Sequence, residues 1–123
     1  MLKFQISVHA VGDSAEGMSV TFDQALAALK WFDRLFIEPD GSFVWTGATA
    51  DGERWQVDGS LIDQGDCLAY VELKGTCPEE QIDQLLSALG WPEAGLVFQL
   101  QQRGALLDEA EFRRLASSAE GAI

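Results

Sequence analysis

Residues 39–66 read PDGSFVWTGATADGERWQVDGSLIDQGD and hold three Asp-Gly pairs, Asp40-Gly41, Asp51-Gly52 and Asp58-Gly59, with a Trp between each pair and the next. The carboxylates are either a series of ion ligands or markers of chain reversal. A calcium loop of the EF-hand type requires closely spaced oxygen ligands closed by a bidentate Glu. Pairs eleven and seven residues apart do not supply them. Hairpin chemistry fits better. A three-residue hairpin loop favours Gly in third place, where the backbone turns left-handed and forms a G1 bulge. Three triplets satisfy that rule: Pro39-Asp40-Gly41, Ala50-Asp51-Gly52 and Asp63-Gln64-Gly65. Pro39 also suits the first turn position, because its φ is already fixed.

With these loops, residue 37 faces 43, 49 faces 53 and 61 faces 67. One face of the resulting four-strand meander carries Leu35, Ile37, Phe43, Trp45, Trp55, Val57, Leu61, Cys67, Ala69, Val71 and Leu73, with Gly47 and Gly59 among them. The other carries Phe36, Glu38, Val44, Thr46, Arg54, Gln56, Asp58, Ser60, Ile62, Leu68, Tyr70, Glu72 and Lys74. The first is nearly all apolar and the second mixed, and a slip of one residue in any loop would scramble the separation. Asp58-Gly59 then lies inside a strand from about Arg54 to Ile62, with the ring of Trp45 or Phe43 covering the missing side chain of Gly59. A two-residue turn there would leave strands of only four residues, so the continuous strand is expected.

On either side of the meander the pattern changes. VTFDQALAALKWF opens with a capping box, Thr21 as N-cap and Gln24 three residues on, followed by a helical stripe of Phe22, Ala25, Leu26, Leu29 and Phe32. Trp31 falls opposite that stripe and either folds back or sits exposed. TCPEEQIDQLLSALGWP gives the clearest helix: Pro78 in the first turn, an apolar face of Ile82, Leu85, Leu86 and Leu89, and Gly90 as its stop. A last helix begins at LLDEAEFRRLA, where Asp108 caps with Glu111 and Leu107 staples onto Phe112. KFQIS and GLVFQLQQ read as strands, with Phe4, Ile6 and Val8 inward in the first and Leu96, Phe98 and Leu100 in the second. The tail after Ser117 is expected to fray. The fold class is therefore α+β: an N-terminal strand, a four-strand meander and a C-terminal strand in a predominantly antiparallel sheet, helices packed on one face, residues 1–123 forming a single domain.

The 123 residues suffice to bury a core without disulfides or metals, and 47% hydrophobic with 23% charged residues is an ordinary globular composition. A net charge of −12 argues against nucleic acid and against anionic membrane surfaces, both of which require basic footprints. No apolar run reaches 18 residues and the N-terminus lacks the hydrophobic block of a signal peptide, so the expected location is the cytoplasm.

Chemistry finds few handles. The single His9 shares the polar side of the first strand with Lys3, Gln5 and Ser7 and needs an orienting partner to act as a base. Cys67 alternates with the core-facing residues, and Cys77 precedes a helix N-terminus that can lower a thiol pKa, opposed by Glu79 and Glu80. Three Cys and His residues scattered at 9, 67 and 77 make no zinc set. GxSxG, GxGxxG and GxxxxGK[ST] are all absent. No catalytic residue, metal or cofactor is assigned.

What remains is the mixed sheet face, centred on Phe36, Val44, Ile62, Leu68 and Tyr70 and rimmed by charge, which has the composition of a protein interface. In architecture, helices enclosing an antiparallel meander in a small acidic chain, the protein resembles the small dimeric chaperones of bacterial secretion systems; the resemblance rests on no specific motif and implies a protein-binding role. The expected function is a non-enzymatic adaptor or chaperone-like protein engaging a protein partner or forming a homodimer. Two alternatives are an acidic mimic that engages a basic partner through Glu79, Glu80 and Asp83, and an enzyme with an unrecognised site.

Overall fold

The computed structural model describes residues 1–11, 17–101 and 104–117. The tail beyond Ser117 and Gln102 lie outside them. These residues form β1 (Leu2–Ala10), α1 (Phe22–Leu29), β2 (Leu35–Ile37), β3 (Ser42–Ala48), β4 (Arg54–Gln64), β5 (Cys67–Cys77), α2 (Glu79–Ala88), β6 (Leu96–Leu100), β7 (Leu106–Leu107) and α3 (Glu109–Ala116). All seven strands join one antiparallel sheet in the order β2-β3-β4-β5-β1-β6-β7. The protein is thus α+β, with its helices on a single face.

The Asp-Gly pairs resolve as two turns and one strand. Gly41 and Gly52 have φ of 94° and 86°, closing loops whose flanks pair as Ile37 with Phe43 and Ala48 with Arg54. Asp40 Oδ1 accepts hydrogen bonds from the Ser42 N–H at 2.9 Å and the Ser42 hydroxyl at 2.7 Å, which fixes the first turn. Those bonds hold the Asp40 carboxyl below its ordinary pKa. Gly59 lies in mid-strand opposite Phe43, and a Cβ added there would come within 2.1 Å of the Phe43 ring.

The third loop differs from expectation. Gln64 pairs with Cys67, so the turn is the two residues Gly65-Asp66, with Gly65 at φ 64° in first position, a type II′ preference. Asp63 then pairs with Leu68 and Ile62 with Tyr70, leaving Ala69 as an extra residue that bulges out of β5. Beyond the bulge the parity returns to the expected one, with Leu61 opposite Val71. Before it the parity is inverted. Cys67 is exposed and Leu68 is fully buried, the reverse of the sequence reading. The chain leading into α1 lies over this end of β5: the Met18 N–H donates to the Leu68 carbonyl at 2.8 Å.

The helices follow their caps. Thr21 and Asp108 each form a complete capping box, with Gln24 and Glu111 respectively. At the end of α2 the Gly90 N–H donates to Ser87 O and the Trp91 N–H to Leu86 O, a Schellman pattern made accessible by φ of 99° at Gly90. Ile82, Leu85, Leu86 and Leu89 of that helix are all fully buried. Phe112 of α3 stacks on Phe98 at 4.6 Å between centroids and meets Phe4 edge-on at 5.9 Å, tying α3 to β6 and β1. Trp31 stands 89% exposed.

Candidate interaction surface

Strand register places the side chains of the helix-free face in rows. Phe36, Val44, Asp58, Lys74 and Gln5 succeed one another across β2, β3, β4, β5 and β1. The next row runs Ser42, Ser60, Glu72, Ser7 and Gln99. Ile62 and Tyr70 are directly opposed one row further, where Tyr70 stacks on His9 at 5.0 Å.

The residues expected to form one contact patch are therefore divided. Phe36 and Val44 pair at one edge, 72% and 39% exposed, while Ile62 and Tyr70 form a second, half-buried group across a row of serines. Leu68 belongs to neither. The Ala69 bulge turns it into the core, so its place on the contact face is corrected.

His9 does find a partner. Its Nε2 lies 2.9 Å from Ser7 Oγ, a contact between alternate residues of one strand. Burial lowers the His9 pKa, and a hydrogen bond that the ring donates to the Gln99 side chain partly restores it. Acyl transfer by such a pair would require donors converging on a developing oxyanion. Ser7, in a central strand, is instead flanked by Glu72 and Gln99 of the adjoining ladders. The pair is a polar contact within the sheet face. Cys77 is the last residue of β5 and fully buried, with burial pushing its thiol up to about 12, so the thiolate that reactivity requires is disfavoured. Among the described residues, no three His, Cys, Asp or Glu side chains gather as metal ligands, and no helix is long and apolar enough to cross a membrane.

The carboxylates of α2 do not form one ridge. Arg113 of α3 reaches Asp83 at 2.6 Å and Glu79 at 3.3 Å, and also pairs with Glu109. The Glu109 pairing is a charge contact rather than an aligned hydrogen bond, since the buried Nε–H finds no well-directed acceptor. Burial works against the Arg113 charge, yet the hydrogen bond to Asp83 and the fields of Glu109 and Asp83 outweigh it and raise its pKa. Glu80 points elsewhere, into a cleft.

That cleft lies beside the start of β2, and sequence reasoning missed it. Arg34 adopts φ of 61°, a left-handed conformation costing a non-glycine residue about 1 kcal/mol or more. Its carbonyl accepts the Thr46 N–H at 3.2 Å, the first rung as the chain comes alongside β3. On the helix side, a cleft of about 640 Å³ is lined by Asp33, Arg34, Trp55, Glu80, Gln81 and Gln84. On the open side, one of about 740 Å³ is lined by Arg34, Arg54, Gln56 and Thr76. Thr46, Gly47 and Ala48 border both. Gly47 was a signal of a kind, since glycine within a strand marks a close approach; here the Trp55 ring lies over it, 2.2 Å from where a Cβ would stand. No protein-family model, curated protein or solved structure matches this chain.

Proposed function

We propose that the protein is a binding module of the adaptor or chaperone-like kind, engaging a protein partner or a second copy of itself through the open face of the sheet. The observation that carries this reading is the cross-strand pair Phe36–Val44, large apolar side chains left exposed side by side on a face that no described helix covers. Charge supports it. The face bears Lys3, Arg54 and Lys74 against Glu38, Asp58 and Glu72, in balance in a chain of net charge −12. A partner can therefore approach it without the repulsion that an acidic protein would meet on the other surfaces. The acidic-mimic alternative loses its strongest cluster, because Arg113 divides Glu79 and Asp83 from Glu80.

Replacing Phe36 and Ile62 together by Lys tests the proposal without touching the core. Burying one such side chain contributes about 1.5–3 kcal/mol, so the double variant is expected to lose a dimer or a partner complex. Light scattering reads the first, and capture from native lysate at two salt concentrations reads the second. An association centred on apolar contacts is expected to survive the higher salt. A monomer in both forms with unchanged capture would show the face to be merely wet.

A further inference from the structure

We propose that the stretch of β3 beyond β2 takes an extended peptide segment of a partner protein as an added strand, one in which a basic residue adjoins an acidic one. In an antiparallel ladder successive residues direct their backbone groups to opposite sides. The Thr49 N–H donates to Glu53 O, and the Leu61 N–H to Gly41 O, so odd-numbered residues of β3 serve β4. Even-numbered ones serve β2: Thr46 donates to Arg34 O, and Glu38 donates to Ser42 O. Ala48 is even-numbered, exposed, and lies past the end of β2. Its N–H and C=O face outward, with no strand among the described residues beside them, which is the template for strand addition.

Recognition by strand addition takes affinity from the main chain and specificity from pockets that receive alternate side chains. Both kinds of feature are present. The two clefts flank the same edge, one on each face of the sheet, and they differ in charge. The helix-side cleft sets Asp33 and Glu80 against Arg34; the open-side cleft holds Arg34 and Arg54 with no carboxylate. A peptide residue opposite Ala48 projects to the open side, in line with Arg54, the register partner of Ala48. Two strand spacings, about 10 Å, separate them, a gap that a Glu and an Arg side chain span together across the small methyl of Ala48. The neighbouring peptide residue projects to the helix side, where a Lys or Arg meets Asp33 and Glu80. Because this site centres on the edge at Ala48, and the variants that test it leave Phe36 and Ile62 in place, either proposal can fail without the other.

The test is fluorescence anisotropy with labelled hexapeptides Thr-Val-Lys-Glu-Val-Thr and the versions carrying Lys-Lys or Glu-Glu at the centre. The expected result is saturation by the Lys-Glu peptide below about 1 mM. Ala48→Pro removes the outward N–H without taking a rung from the β3–β4 ladder and is expected to weaken binding about tenfold. Arg54→Glu, which leaves the backbone alone, is expected to shift preference to the Lys-Lys peptide, and it decides the matter should Ala48→Pro fail to show native tryptophan fluorescence. Equal binding of all three peptides, no saturation, or unchanged binding in natively folded Ala48→Pro would overturn the proposal. A dimer that Ala48→Pro dissociates would place a second copy at the edge and overturn the peptide assignment.

Discussion

At the scale of single residues, the two cysteines report on the third hairpin. Cys67 is exposed and Cys77 fully buried with its thiol pKa raised to about 12. Titration of the native protein with a thiol-specific chromophore is therefore expected to modify Cys67 promptly, and Cys77 only after unfolding. Slow modification of both would restore the register in which 61 faces 67. His9 offers a pH-dependent readout. Burial lowers its folded pKa below the ordinary 6.5, so between the two values the unfolded chain binds more protons than the folded one. The corresponding stability is complete above about pH 6.5 and is lost as pH falls through the folded value. Urea unfolding of His9→Gln is expected to lose less stability than the parent between about pH 7.5 and 5, the shared carboxylate effects cancelling in the difference. Arg34 marks where residue-level reading stops. Nothing in its side chain favours a positive φ, so the end of β2, and both clefts that depend on it, could not be foreseen from the sequence.

At the scale of elements, the first two hairpins were legible because glycine, a turn-forming residue before it and the apolar alternation of both flanking strands agree. The third was not. Asp63-Gln64-Gly65 satisfies the three-residue rule, but Gly65-Asp66 is an equally good two-residue turn. The alternation could not choose between them, because Cys67 and Ala69 on one parity and Leu68 and Tyr70 on the other are all apolar. The Ala69 bulge restores the expected facing of the side chains beyond it, but the register itself is displaced by four residues, Leu61 opposing Val71 and not Cys67, and one contact residue, Leu68, is misplaced. In β4, Gly59→Ala is expected to destabilise the fold by about 1–3 kcal/mol in urea unfolding, since the Phe43 ring occupies the space and must leave its rotamer. Asp108→Ala is expected to cost about 1 kcal/mol through loss of the α3 capping box. The same measurement checks both. An Asp108→Ala variant as stable as the parent would mean that α3 is held by its packing and the Arg113 ion pairs without help from the cap.

At the scale of the whole molecule, acidic charge and open face are kept apart. The sheet face is nearly balanced, so among the described residues the helix layer and hairpin tips carry the excess of negative charge. Self-repulsion among those carboxylates is expected to make the protein more stable by on the order of 1 kcal/mol when sodium chloride is raised from about 20 to 300 mM. A urea midpoint that falls with salt would show instead that the Arg113 ion cluster dominates. The strand order has a consequence in time. Strand β1 sits between β5 and β6, so the first strand of this unit to leave a ribosome has both partners far behind it in the chain, whereas β2 to β5 each find a neighbour next in sequence. Local pairing is fast and distant closure slow. The meander can assemble as it is made, while β1 waits for β5 and β6 and Phe4 lacks its cover until Phe112 of α3 has been synthesised, the interval in which this protein has most need of a chaperone itself.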